Sequence, residues 1–216
     1  MKKLFFPLIF ILCFFFLSCS GDIKVSIYTR DLSDVMSSKE NVLYTNVNVI
    51  VENLKDEADI EFLRNNLNGF SNEHFVKHNY SDSLSFDIKI PILKNGTELD
   101  TSKDLLIITG KNNKDKNEFY LQYNKELLSR LNSYIYSAHY QNIDLSKFKL
   151  LVEINNDERN PVSLTTYSCY INGKSYPFTH KENLKERDRI SFEVSEIFAN
   201  YMAVMDNTNY PLFAIK

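Results

Sequence analysis

Residues 83–93 read SLSFDIKIPIL, with Leu84, Phe86, Ile88, Ile90 and Ile92 alternating against Ser85, Asp87 and Lys89. Successive strand side chains point to opposite faces, so this segment is a strand with one buried face. Upstream, residues 43–52 alternate in the same way, placing Leu43, Thr45, Val47, Val49 and Val51 on one side. Between the two, Asp56, Glu57 and Asp59 crowd the start of a segment whose Ile60, Leu63, Leu67 and Phe70 recur at helical spacing, with Gly69 near its end. Acids at the start and glycine at the end are helix punctuation. Downstream, residues 105–108 are apolar without alternation, as in a strand covered on both faces. The polar run 111–117 then turns into a strand at residues 119–123. Nearer the start of the chain, residues 23–28 alternate and residues 31–38 fit a short helical turn.

The longest helix is predicted over residues 125–141, capped by Asn124, with Leu127, Leu128, Leu131, Tyr134, Ile135 and Ala138 as its core stripe. The centre of its opposite face is Ser129, Ser133, Tyr136 and Tyr140, with no charge among them. A solvated helix back normally carries Lys and Glu, so this row is expected to meet either a partner, where tyrosine is favoured, or the rest of the chain. After Asn142 six short strands are predicted, at 148–154, 162–171, 174–180, 189–194, 201–205 and 212–215. Asn172-Gly173 joins two of them by a strong hairpin signal. Residues 193–200 could instead form one or two helical turns.

The fold class expected from this pattern is α+β: a mixed or antiparallel sheet with two main helices over residues 23–142, followed by a β-rich part at residues 144–216. That second part is either a domain of its own or an extension of the first sheet. The order strand, helix, strand, strand, helix over residues 43–141 resembles the small ring-building domains of envelope secretion machines. The resemblance implies a subunit of a secretion or conjugation assembly.

The chain opens MKKLFFPLIFILCFFFLSCS. Lys2 and Lys3 form a basic start, residues 4–17 are apolar apart from Pro7, and Ser18 precedes Cys19; this is a secretory signal with a cleavage site. The apolar run is shorter than the ~18–20 residues that a spanning helix needs. Phe16-Leu17-Ser18-Cys19 resembles the lipobox of bacterial lipoproteins at Ser18 and Cys19, departing from it at Phe16 and Leu17. The resemblance implies that residues 1–18 are removed and that Cys19 carries a diacylglyceryl thioether, with a further acyl chain on its amine. The protein would then be held on the cell membrane or outer membrane, facing the periplasm or the exterior. Residues 19–22 would form a tether reaching on the order of 10 Å.

Without residues 1–18 the chain has 23 basic and 28 acidic side chains, a net charge of −5. An acidic body is not built to coat nucleic acid. Of the three cysteines, Cys13 leaves with the signal and Cys19 is lipidated, which leaves Cys169 without an internal disulfide partner. It is expected to be a small buried hydrophobe.

Motifs that carry catalysis do not stand out: there is no Gly-x-Ser-x-Gly elbow, glycine-rich phosphate loop, paired cysteines or His-Glu-x-x-His. His74 and His78, four residues apart beside Glu73, are the candidate metal ligands, and no third ligand is near in sequence. No metal or other cofactor is expected. Residues 180–189, HKENLKERDR, alternate in sign and read as a solvated loop or edge.

The function expected is therefore non-enzymatic: a lipid-anchored envelope protein that binds another envelope protein at the membrane, with Ser129, Ser133, Tyr136 and Tyr140 as its contact row. A second reading is a small-ligand or glycan binder stacking its ligand on Tyr167, Tyr170 and Tyr176. A third is a hydrolase whose residues are dispersed in sequence.

Overall fold

The computed structural model describes residues 18–205 and 209–216, without the side chains of residues 18, 19 and 146. Apart from Ser18, the expected signal peptide lies outside the described residues. Among these residues eleven strands are present: β1 (Ser18–Tyr28), β2 (Val42–Glu52), β3 (Ser71–His78), β4 (Ser81–Lys94), β5 (Leu106–Asn113), β6 (Lys116–Tyr123), β7 (Asn142–Asn155), β8 (Val162–Ile171), β9 (Lys174–Leu184), β10 (Arg189–Val194) and β11 (Phe213–Ile215). Four helices join them: α1 (Thr29–Met36), α2 (Glu57–Asn66), α3 (Lys125–His139) and α4 (Glu196–Val204).

Nine of the strands close into a barrel, in the order β10-β7-β1-β2-β4-β5-β6-β11-β8 and back to β10. The last step is the pairing of Glu193 with Tyr170 and of Val194 with Cys169. Ser168, at φ 44°, kinks β8 so that its first half pairs with β11 and its second with β10. Outside the ring, β9 pairs with β8 and β3 with β4.

The α+β expectation is thus corrected to a mostly β fold, a closed barrel with four short helices. The physical reason is that strands from the two halves interleave. β1 lies between β2 and β7, antiparallel to the first and parallel to the second, so residues 142–216 complete the same sheet. Residues 201–205 belong to α4 and its C-cap rather than to a strand, and Ala138 of the expected core stripe is exposed. Residues 71–78, which carry no predicted element, form β3. The element order that resembled ring-building domains is part of this barrel.

The alternation points apolar side chains inward. Ile23, Val25 and Ile27 of β1, Val47, Val49 and Val51 of β2, and Leu84, Phe86, Ile88, Ile90 and Ile92 of β4 are all buried, whereas Lys24 and Tyr28 face out. A transmembrane barrel has the reverse pattern, apolar outside and polar within. No helix among the described residues is long and apolar enough to cross a membrane.

The two barrel ends differ. β1 runs from an entry end to a far end, where α1 follows it; Thr29 Oγ1 donates to Asn156 Oδ1 at 2.8 Å and fixes α1 to the end of β7. β2 returns to the entry end, where Val51 pairs with Gly21, and α2 follows. α3 leads into β7, whose Asn142 pairs with Ser18, so α3 also lies at the entry end. Asn124 Oδ1 accepts the Leu127 N–H at 3.0 Å, which is the expected helix cap. Leu127, Leu128, Leu131 and Ile135 are buried beneath α3, and Phe62 of α2 stacks on Tyr134 at 3.7 Å. Under α2 and α3 remains a cavity of about 40 Å³ whose lining, including Ile23, Val49, Phe86, Leu131 and Phe148, is wholly apolar.

Candidate interaction surface

Residues 19–22, read from sequence as a tether, run within β1. Gly21 pairs with Val51 on one side and with Phe148 on the other. Its backbone is so close to its neighbours that a Cβ there would lie 1.8 Å from the Ile50 carbonyl oxygen. Glycine is required by this close approach. The strand therefore leads to Cys19 with no free linker in between.

Around this entry point the structure assembles polar groups that are distant in sequence. His78 Nε2 lies 3.0 Å from Asp22 Oδ2, and its Nδ1 lies 3.2 Å from Glu52 Oε1. Ser20 donates to Glu52, and that hydrogen bond holds the Glu52 carboxyl below its ordinary value against the opposing effect of burial, with help from Asn79 and His78. Of the two candidate metal ligands, His78 is thus engaged by carboxylates of β1 and β2, while His74 Nδ1 lies 2.8 Å from the Asn72 carbonyl oxygen. Glu73 is paired with Arg64 at 2.7 Å. The two imidazoles serve different partners.

A second cluster was not legible in the sequence. Asp59, in the first turn of α2 and only 1% exposed, meets His139 Nε2 of α3 at 2.9 Å. Burial and the charge of Asp59 raise the Tyr134 phenol. With Asp56, these residues bring two carboxylates and an imidazole within 4.8 Å of one another, donor types that suit a divalent cation. As it stands the arrangement ties α2 to α3, and the sequence separation of 80 residues between Asp59 and His139 kept it out of any motif.

The contact row expected on α3 is on its solvent side. Ser129 and Ser133 are exposed, Tyr136 is 55% and Tyr140 81% exposed, and the two rings meet edge to face at 6.2 Å. Among the described residues nothing covers this row, which was the alternative expectation.

A second apolar surface lies elsewhere. Pro177 and Phe178 of β9, Ile197, Phe198 and Tyr201 of α4, and Tyr210 with Pro211 line an open groove with no charged residue among its described lining. Phe178 and Ile197 are each 83% exposed. Sequence reasoning missed it because residues 201–205 read as a strand. Taken as a helix, 196–204 places Ile197 and Tyr201 four residues apart on one outward face, the signal that could have found it.

The tyrosines of the ligand-binding reading do not share one platform. Tyr167 accepts a hydrogen bond from Lys116 at 3.0 Å, Tyr170 lies by Lys147 and Glu196, and Tyr176 packs on His180 at 4.4 Å. Cys169 is buried, its thiol raised by desolvation, with Thr166 Oγ1 3.2 Å away.

The family described as a domain of unknown function, DUF7424, matches residues 21–216. The chain belongs to the DUF7424 family. No curated protein and no solved structure matches this DUF7424 chain. The match takes in both halves of the sequence, and the strands it spans are those of the single closed barrel.

Proposed function

We propose that this DUF7424 protein is a lipid-anchored, non-enzymatic binding protein of the bacterial envelope, tethered through Cys19 and recognising a second envelope protein at the membrane surface. The observation that carries the reading is the uncharged aromatic groove between β9 and α4, with Phe178 and Ile197 each 83% exposed. Exposed contiguous apolar surface rimmed by polar residues marks interaction sites, and clustered aromatics are the residues that anchor protein interfaces. The barrel core, by contrast, is filled with aliphatic and aromatic side chains. The anchor reading is supported by the apolar leader ending in Ser18-Cys19 and by a family match that begins two residues later, at residue 21. With β1 starting at the anchor, the partner has to be met close to the bilayer.

A photocrosslinking residue placed at position 178 in living cells tests this. The expected result is one or a few discrete protein adducts that disappear when Ile197 is changed to Asp and weaken when Cys19→Ser releases the chain. Adducts that are absent, or unchanged by Ile197→Asp, refute the groove as the recognition surface.

A further inference from the structure

We infer that the entry end of the barrel is seated on the lipid headgroups by three tyrosines, Tyr80, Tyr136 and Tyr140, arranged around the point where the chain enters the membrane. The inference rests on the anchor reading above. It begins from where the chain leads: the apolar run 4–17 directly precedes Ser18, and Ser18 pairs with Asn142 at the entry end. Whether that run is exchanged for lipid on Cys19 or retained, the membrane-inserting element joins the barrel here.

Tyr140 lies two residues before Asn142. A strand spacing of about 5 Å plus two residues of chain places its backbone within about 12 Å of Ser18. Tyr136 sits one turn earlier on the outward face of α3, and Ser133, Tyr136, Ser137 and Tyr140 of the last two turns of that face are exposed and uncharged.

On the other side of β1 the β3–β4 hairpin reaches the same end, since Glu52 pairs with Ser83 and His78 touches Asp22. Its two-residue tip is Asn79-Tyr80, with φ of 47° and 68°. Positive φ at both positions is what a tight hairpin turn requires, and glycine is the residue that takes the second place without strain. A tyrosine there is strained, because its Cβ crowds the following carbonyl oxygen. It has no packing role to offset that strain, being fully exposed at 103%.

A strained, wholly exposed aromatic is an outlier that points to use. Tyrosine is the fitting residue for a bilayer surface: its ring enters the acyl boundary while its hydroxyl stays with the headgroups, which is why it is enriched at membrane interfaces. Tyrosines on both sides of the anchor would stop the barrel from tilting about a single lipid attachment. They would also hold the β9–α4 groove at one orientation to the membrane plane.

The chain has no tryptophan, so an indole placed anywhere is the only one in the protein. Tyr80→Trp, Tyr136→Trp and Tyr140→Trp would be made in the full chain, produced with its own leader and lipid processing. Each would be reconstituted on vesicles of phosphatidylethanolamine and phosphatidylglycerol, with and without brominated acyl chains. Tyr28→Trp is the reference: Tyr28 is 48% exposed and sits at the far end of β1, ten residues from Ser18.

The expected result is blue-shifted, bromine-quenched emission at positions 80, 136 and 140, and unshifted, unquenched emission at 28. If the protein floats with the vesicles but positions 80 and 140 are no more quenched than 28, the inference is overturned while the anchor stands, and the α3 row is left to a protein partner. Quenching at all four positions overturns it as well, because the barrel is then not seated on its entry end. If the chain does not float, the anchor reading and this inference fall together.

Discussion

Replacing Gly21 by Ala separates two descriptions of the start of the barrel. In a free tether, as flexible folded as unfolded, the change would be neutral, because the entropy effect is the same in both states. In the barrel, the new Cβ would lie 1.8 Å from the Ile50 oxygen, 2.9 Å from the Ile50 carbonyl carbon and 2.9 Å from Phe148 Cε1. Two of those atoms are backbone, so no rotamer change relieves the contact and β1 has to move away from β2. The strand can fray at residues 18–22, which limits the loss to the ladder bonds on either side of Gly21 and the contact with Phe148. On the order of three bonds lost at about 1 kcal/mol each give a destabilisation of about 3 kcal/mol. For a chain of this size that lowers Tm by roughly 6–12 °C. Thermal and urea unfolding of the detergent-solubilised protein, followed by far-UV circular dichroism, measures it. A Tm that is unchanged or raised in Gly21→Ala would refute the placement of β1 against β2 at the entry point.

Three further outcomes follow from particular contacts. Burial raises the Glu118 carboxyl, but hydrogen bonds from Lys116 at 2.7 Å, Asn113 at 3.0 Å and Tyr120 at 2.9 Å outweigh it and leave the group below its ordinary value of 4.5. A carboxyl that ionises more readily folded than unfolded adds stability above its unfolded value and loses it as pH falls; Glu118→Gln should therefore cost about 1.5–3 kcal/mol at pH 7. The difference should shrink steadily below about pH 4.5 in urea titrations, and a constant gap across that range would contradict the pairing. Leu131→Ala enlarges the apolar cavity under α3 and should cost about 3–5 kcal/mol, readable as a lower urea midpoint at unchanged m-value. Tyr80→Gly relieves the positive φ of 68° and should raise stability by about 1 kcal/mol while weakening vesicle binding of the lipidated protein. A loss of stability would show that Tyr80 is held by packing instead.

Much of the local structure was legible because its causes are local. The strand at 83–93 shows its face in its own alternation, Asn124 caps α3 as its side chain dictates, and Asn172-Gly173, with φ of 51° and 75°, makes the turn between β8 and β9. Where two causes competed, the reading failed. Residues 201–205 are apolar enough for a strand, yet Ser195 Oγ accepts the Phe198 N–H at 3.3 Å and starts α4 through them. Residues 71–78 carry polar and charged side chains with little alternation, and they form β3 because the edge of β4 is there to pair with. The candidate surfaces divide in the same way. The uncharged back of α3 could be seen from helical spacing, whereas Phe178 came beside Ile197 only through the packing of β9 and α4.

The periodicities, the caps and turns, and the apolar run before Ser18-Cys19 can be read from the residues alone. Each depends on neighbours within a few residues, where the chain has little choice. Barrel closure, the placing of β1 between β2 and β7, the Asp59–His139 tie and the tyrosines around the entry point were decided only by the tertiary structure. Those contacts join residues tens to more than a hundred positions apart. Many registers could satisfy the same local alternation, and burying every apolar face at once in one closed sheet selects among them.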